Sequence, residues 1–129
     1  MMLRMILATA LAVFAALPAR AVELVMVEQP GCAYCAAWNK AIAPIYPKTD
    51  AGAYAPLHRV ELRDGAPEGI TFDRPARFTP TFILIGDDGT ELGRIEGYPG
   101  EDFFWGLLEK MLTEKTAFAT AYPPQAATN

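Results

Sequence analysis

The chain has 129 residues, 52% of them hydrophobic, with 11 lysines and arginines against 15 aspartates and glutamates and a formal net charge of −4. That length fits one domain around one modest core. The acidic balance leaves no basic stripe to neutralise phosphates and argues against nucleic acid as a partner.

Taken in order, residues 1–21 read as a secretory signal peptide. Arg4 supplies the positive start, residues 5–17 are apolar and uncharged, and Ala19-Arg20-Ala21 has the small-x-small form of a cleavage site. The apolar run is short for a membrane span. Cleavage would leave 108 residues and remove Arg4 and Arg20, so nine basic side chains would face 15 acidic ones, a net charge of −6. The predicted folded domain then covers residues 22–115, with 116–129 as a loosely held tail.

Residues 23–28, built on Leu24-Val25-Met26-Val27, read as a buried strand, which Pro30-Gly31 breaks. A helix follows. Cys35, Trp38 and Ile42 share one of its faces, so Cys35 points inward with Trp38 while Cys32 stays accessible at the opening turn. Pro44 and Pro47 end the helix, and residues 48–56 read as a polar loop. Residues 57–62 alternate as a second strand, with His58, the only histidine, on the polar phase as an exposed strand residue. Residues 64–79 are rich in proline, glycine and charge, with one helical turn at residues 67–70. Residues 81–85 predict a strand buried on both faces, and Asp88-Gly89 a hairpin turn back to a strand over 91–96. Residues 101–114 predict an amphipathic helix, with Phe104, Leu107, Leu108 and Met111 as its apolar face and Phe103-Phe104-Trp105 as core packing.

Cys32 and Cys35 are the only cysteines, and at this spacing they can close a small ring with each other. The first sits where a helix begins, where backbone N–H groups and the helix dipole favour a thiolate. The thiolate is the attacking species in disulfide exchange. The second lies one turn in, within reach of whatever the first captures. A bridge across so short a loop constrains the unfolded chain little, so stability is a poor reason for it.

The order strand, CxxC helix, strand, irregular link, hairpin, helix resembles the thioredoxin fold. The matching pieces are Pro30-Gly31-Cys32-Ala33-Tyr34-Cys35, Thr79-Pro80-Thr81, the hairpin over 82–96, Gly97 and the last helix. Three phrases, Val27 to Cys32, Ile45 to Thr49 and Gly93 to Gly100, are similar to the small periplasmic thioredoxins of bacterial sulfur-oxidation (Sox) operons, the SoxS type. The resemblance implies an α/β thioredoxin-like fold with a central mixed sheet of about four strands flanked by helices. The family's N-terminal strand and helix would be reduced or absent, because the CxxC comes ten residues into the predicted mature chain.

It also implies roles. Cys32 would be the nucleophile and Cys35 the resolving thiol. Pro80 would follow a cis bond and keep metals off the sulfurs, and the Thr79 backbone would pair with an extended substrate segment. Ala33 and Tyr34 would tune the redox poise, with Tyr34 either packed over the sulfurs or exposed. The family's buried acid, six positions before the first cysteine, is Met26 here; Glu28, on the same strand face, is the candidate substitute. Arg74 and Arg77 would bring positive potential to the rim. The implied activity is a periplasmic thiol–disulfide oxidoreductase, monomeric, with no cofactor beyond the Cys32–Cys35 disulfide. It would reduce an oxidised or thiolated cysteine on a partner, a sulfur-carrier protein, and be recharged by a membrane electron transporter. Three alternatives stand beside it: a disulfide-forming oxidase, a copper- or zinc-binding CxxC module, since thiolates suit soft ions, and an interaction module whose disulfide is only structural. Ala36 after Cys35 removes the c-type haem reading.

Overall fold

Leu24 and Met26 face one core and Val25 and Val27 another, and the strand that carries them organises the molecule. The structure is a computed structural model that describes residues 21–125. Of the predicted signal peptide, only Ala21 falls within the described residues. Strand β1 (Glu23–Glu28) pairs in parallel with β2 (Leu57–Glu61) and antiparallel with β3 (Thr81–Ile85), and β3 pairs antiparallel with β4 (Glu91–Glu96). The sheet order is β2-β1-β3-β4. The two central strands are the two near-continuous apolar runs of the sequence, as burial on both faces requires.

Helices α1 (Ala33–Ala41), α3 (Glu101–Lys115) and α4 (Phe118–Ala121) cover one face of the sheet. The short α2 (Asp50–Tyr54) completes the crossover from β1 to β2, the connection that parallel pairing demands. On this face Trp38, fully buried, lies with its ring centroid 5.1 Å from Phe82 and 5.7 Å from Phe104. Among the described residues no α-helix packs on the other face. Val25, Val27, Val60, Ile83 and Ile85 are covered there by Leu62, Ile70, Phe72 and Ala76 of the irregular segment.

Five expectations need correcting. Residues 48–56 are not simply a loop: a 3₁₀ turn (Tyr46–Lys48) leads into α2, capped by Thr49, whose Oγ1 accepts the Gly52 N–H at 3.0 Å. A Cβ at Gly52 would collide with the Tyr46 carbonyl, so glycine is required by close approach. Burial pushes the Tyr46 phenol above its ordinary range, and its hydroxyl donates to the Ala55 carbonyl at 2.6 Å. The apolar face of α3 is Phe104, Leu108, Met111 and Leu112, while Phe103 and Leu107 are 69% and 43% exposed. Within the tail expected to be loose, residues 118–121 are docked, because α4 buries Phe118 against Tyr54 at 5.5 Å between ring centroids. The second strand ends at Glu61, and Leu62 opens a 3₁₀ turn that tucks its side chain onto the sheet face opposite α1 and α3. The segment 67–70 also differs from the helical turn expected: the Ile70 N–H bonds the Pro67 carbonyl at 3.0 Å, but Gly69 at φ +78° makes it a β-turn.

Candidate redox site

β1 ends at Glu28, and Gly31, at φ +78°, makes the left-handed turn that only glycine takes cheaply. That turn sets Cys32 in extended conformation as the N-cap of α1. The Cys35 N–H donates to Cys32 Sγ at 3.1 Å, so the sulfur stands where a serine or aspartate oxygen ordinarily caps a helix. Cys32 and Cys35 are joined in a disulfide with their Cα atoms 5.2 Å apart. Cys35 is 3% exposed above Trp38, whereas Cys32 is half-buried. A negative charge on the Cys32 sulfur is therefore met by an amide hydrogen and the positive end of the helix.

The Thr79–Pro80 peptide bond is cis. Thr81 pairs with Val27, and continuing that antiparallel register places Thr79 beside Gln29, three residues before Cys32. Gln29 Nε2 donates to Thr79 Oγ1 at 2.9 Å, and the buried Pro80 accepts the Gly97 N–H at 2.7 Å. The Thr79 backbone N–H and C=O bond to no other backbone group among the described residues. Tyr34 is 66% exposed and Phe78, just before Thr79, 63%. Tyr34 thus takes the exposed option.

A groove of about 420 Å³ beside the disulfide is lined by Glu28, Gln29, Cys32, Cys35 and Asn39, among others. Glu28 accepts from Arg59 Nη1 at 2.6 Å. The same guanidinium lies 3.6 Å from Met26 Sδ and 6.0 Å from the Trp38 ring centre. The Asn39 Oδ1 is buried without a hydrogen-bond partner among the described residues. His58 pairs with Glu23 at 3.2 Å, at the start of β1 and away from the cysteines. Arg74 is matched by Glu96 at 2.8 Å, which cancels much of the positive potential expected from it, while Arg77 is exposed. Sequence reasoning missed Gln29, Arg59 and Asn39, because their partners are set by strand register and helix docking. Among the described residues no three His, Cys, Asp or Glu side chains converge as metal ligands would.

A strand, a CxxC at a helix N-terminus and a proline loop beside it define a thioredoxin-like protein. The chain belongs to that family: the model of the thioredoxin-like domain matches residues 10–112. Within it the chain is similar to the periplasmic thioredoxin SoxS from Paracoccus pantotrophus, whose crystal structure is of the reduced form. The two are 52% identical over 72% of this chain and 97% of that one, with a TM-score of 0.70. The N-terminal domain of PilB from Neisseria gonorrhoeae, 12% identical over 81% of this chain and 83% of that one, has a TM-score of 0.50 and shares the fold alone. Comparison with curated proteins gives no match. The SoxS-type resemblance read from the sequence holds, and the chain is a thiol–disulfide oxidoreductase whose redox group is the Cys32–Cys35 pair.

Proposed function

We propose that the chain is an exported, monomeric reductase acting in the periplasm on an oxidised or thiolated cysteine of a partner protein. Cys32 thiolate attacks the partner's disulfide sulfur, the S–S bond breaks, and a mixed disulfide forms while the leaving sulfur departs as thiolate. Cys35, deprotonated, then attacks Cys32 Sγ. The partner's cysteine leaves reduced, and the chain keeps the two electrons' worth of oxidation as the Cys32–Cys35 disulfide. The observation that carries this reading is the Cys32 sulfur held on the Cys35 N–H at the start of α1. A reductant in an oxidising compartment needs a supply of electrons; a membrane electron transporter fills that place. The resemblance to SoxS supports a sulfur-carrier protein as the partner. The open N–H and C=O of Thr79 suit an extended segment of that partner, added as a short strand. Capture of the partner through a mixed disulfide tests the reading.

In the same reading Glu28 takes the proton of Cys35 across the groove they share, with Arg59 fixing its carboxylate. Glu28→Gln then slows resolution of the mixed disulfide about 100-fold between about pH 6 and 8, the low end of what a general base contributes. Stopped-flow measurement across that interval decides it, and a rate equal to wild type removes Glu28 from the mechanism.

A further inference from the structure

Glu91 and Arg94 lie three apart on β4, a spacing that in a regular strand sends side chains to opposite faces. Here they share one. Ile85 pairs with Glu91 but Leu84 with Gly93, so Leu92 is the extra residue of a β-bulge. The bulge turns both charged side chains to the face of Ile83 and Ile85, opposite α1, α3 and α4. There Arg94 donates from Nε and Nη2 to the two oxygens of Glu91, each at 2.6 Å, with the side chains 6% and 2% exposed.

Both then reach across to the irregular segment. Glu91 Oε2 accepts the Asp73 N–H at 2.8 Å, and Arg94 Nη2 donates to the Arg74 carbonyl at 2.8 Å. Arg74 in turn binds Glu96 on the same strand. The Thr71 N–H on Gly89 and the Glu91 N–H on Thr71 close the backbone at 2.9 and 3.1 Å. The segment is therefore stapled to β4 just ahead of Phe78 and Thr79. Burial pushes the Glu91 carboxyl up, but hydrogen bonds from Arg94 and the Asp73 N–H, with the charges of Arg94 and Arg74, bring it below the ordinary carboxylate range. The pair is ionised at neutral pH.

A buried ion pair is weak grounds for stability, because desolvation offsets most of the attraction and apolar replacements are often neutral. Placement is the better account. We propose that Glu91 and Arg94 are positioning residues that fix where Phe78 and Thr79 stand beside Cys32, and so set how well an extended partner segment docks. This rests on the reading that Thr79 receives the partner. Neither residue touches the reacting sulfurs, so the chemistry with a small disulfide is indifferent to the clasp.

The test uses the full chain with insulin as protein disulfide and 5,5′-dithiobis(2-nitrobenzoate) as small disulfide. Arg94→Met raises KM for insulin about tenfold, a modest share of what misplacement costs, while the small-disulfide rate and the Cys32–Cys35 potential stay at wild type. Arg94→Lys, which keeps the charge, recovers part of the loss. Glu91→Gln, which keeps an acceptor for Asp73, shows the same split in milder form and stands in if Arg94→Met fails to fold. Faster hydrogen exchange at the Phe78 and Thr79 amides accompanies it. Equal losses on both substrates, or no loss on either in a folded variant, overturn the proposal. If wild type itself reduces neither substrate, the oxidoreductase reading beneath it falls, and the clasp with it.

Discussion

Reduced Cys35→Ser protein accumulates a covalent adduct with its oxidised partner, and Cys32→Ser protein accumulates none. The asymmetry follows from burial. Cys32 is the accessible sulfur at the helix start, and Cys35, 3% exposed against Trp38, cannot meet a partner before Cys32 has done so. A serine at position 35 leaves the mixed disulfide without an internal nucleophile, so it persists. A serine at position 32 removes the thiolate that the helix N-terminus stabilises, and nothing forms. Turnover is abolished in both. Non-reducing electrophoresis with mass spectrometry of the adduct reads the result and identifies the partner. An adduct with Cys32→Ser and none with Cys35→Ser reverses the roles assigned to the two sulfurs.

Trp38→Ala costs about 3–5 kcal/mol, the usual range for deleting a buried tryptophan. That is a large part of the roughly 5–15 kcal/mol that holds a domain folded. Trp38 is fully buried and touches three elements at once: Phe82 on β3, Phe104 on α3 and Tyr46 after α1, the last at 6.1 Å between centroids. No partner replaces it, because α1 is only nine residues long and buries just Cys35 and Trp38. Its Nε1 has no hydrogen-bond partner among the described residues, so Trp38→Phe removes an unpaired polar atom and is milder than Trp38→Ala. Denaturant unfolding measures both. A Trp38→Ala loss below about 1 kcal/mol, less than a typical core deletion, shows that α1 is anchored by something else.

The central strands and the CxxC helix were legible in the sequence because each rests on a local signal. Apolar runs mark β1 and β3, Pro30-Gly31 marks the turn, and the cysteines mark the helix start. What escaped depends on contacts between distant segments. Glu28 and Cys35 line one groove, but Arg59, which holds the Glu28 carboxylate, comes from the register of β1 with β2. The bulge at Leu92 inverted the parity of β4, so no alternation rule could bring Glu91 and Arg94 together. On α3 the buried stripe runs through Leu112 instead of Leu107, which is 43% exposed. The α2 helix, five residues long, is too short to show a period.

Titration of Cys32 in the reduced protein, followed by thiolate absorbance or by the pH dependence of alkylation, tests most directly whether α1 activates that sulfur. The account predicts a Cys32 pKa well below the free-thiol value of about 8.5. A Cys32 that ionises at or above about 8.5, as an ordinary thiol does, contradicts it.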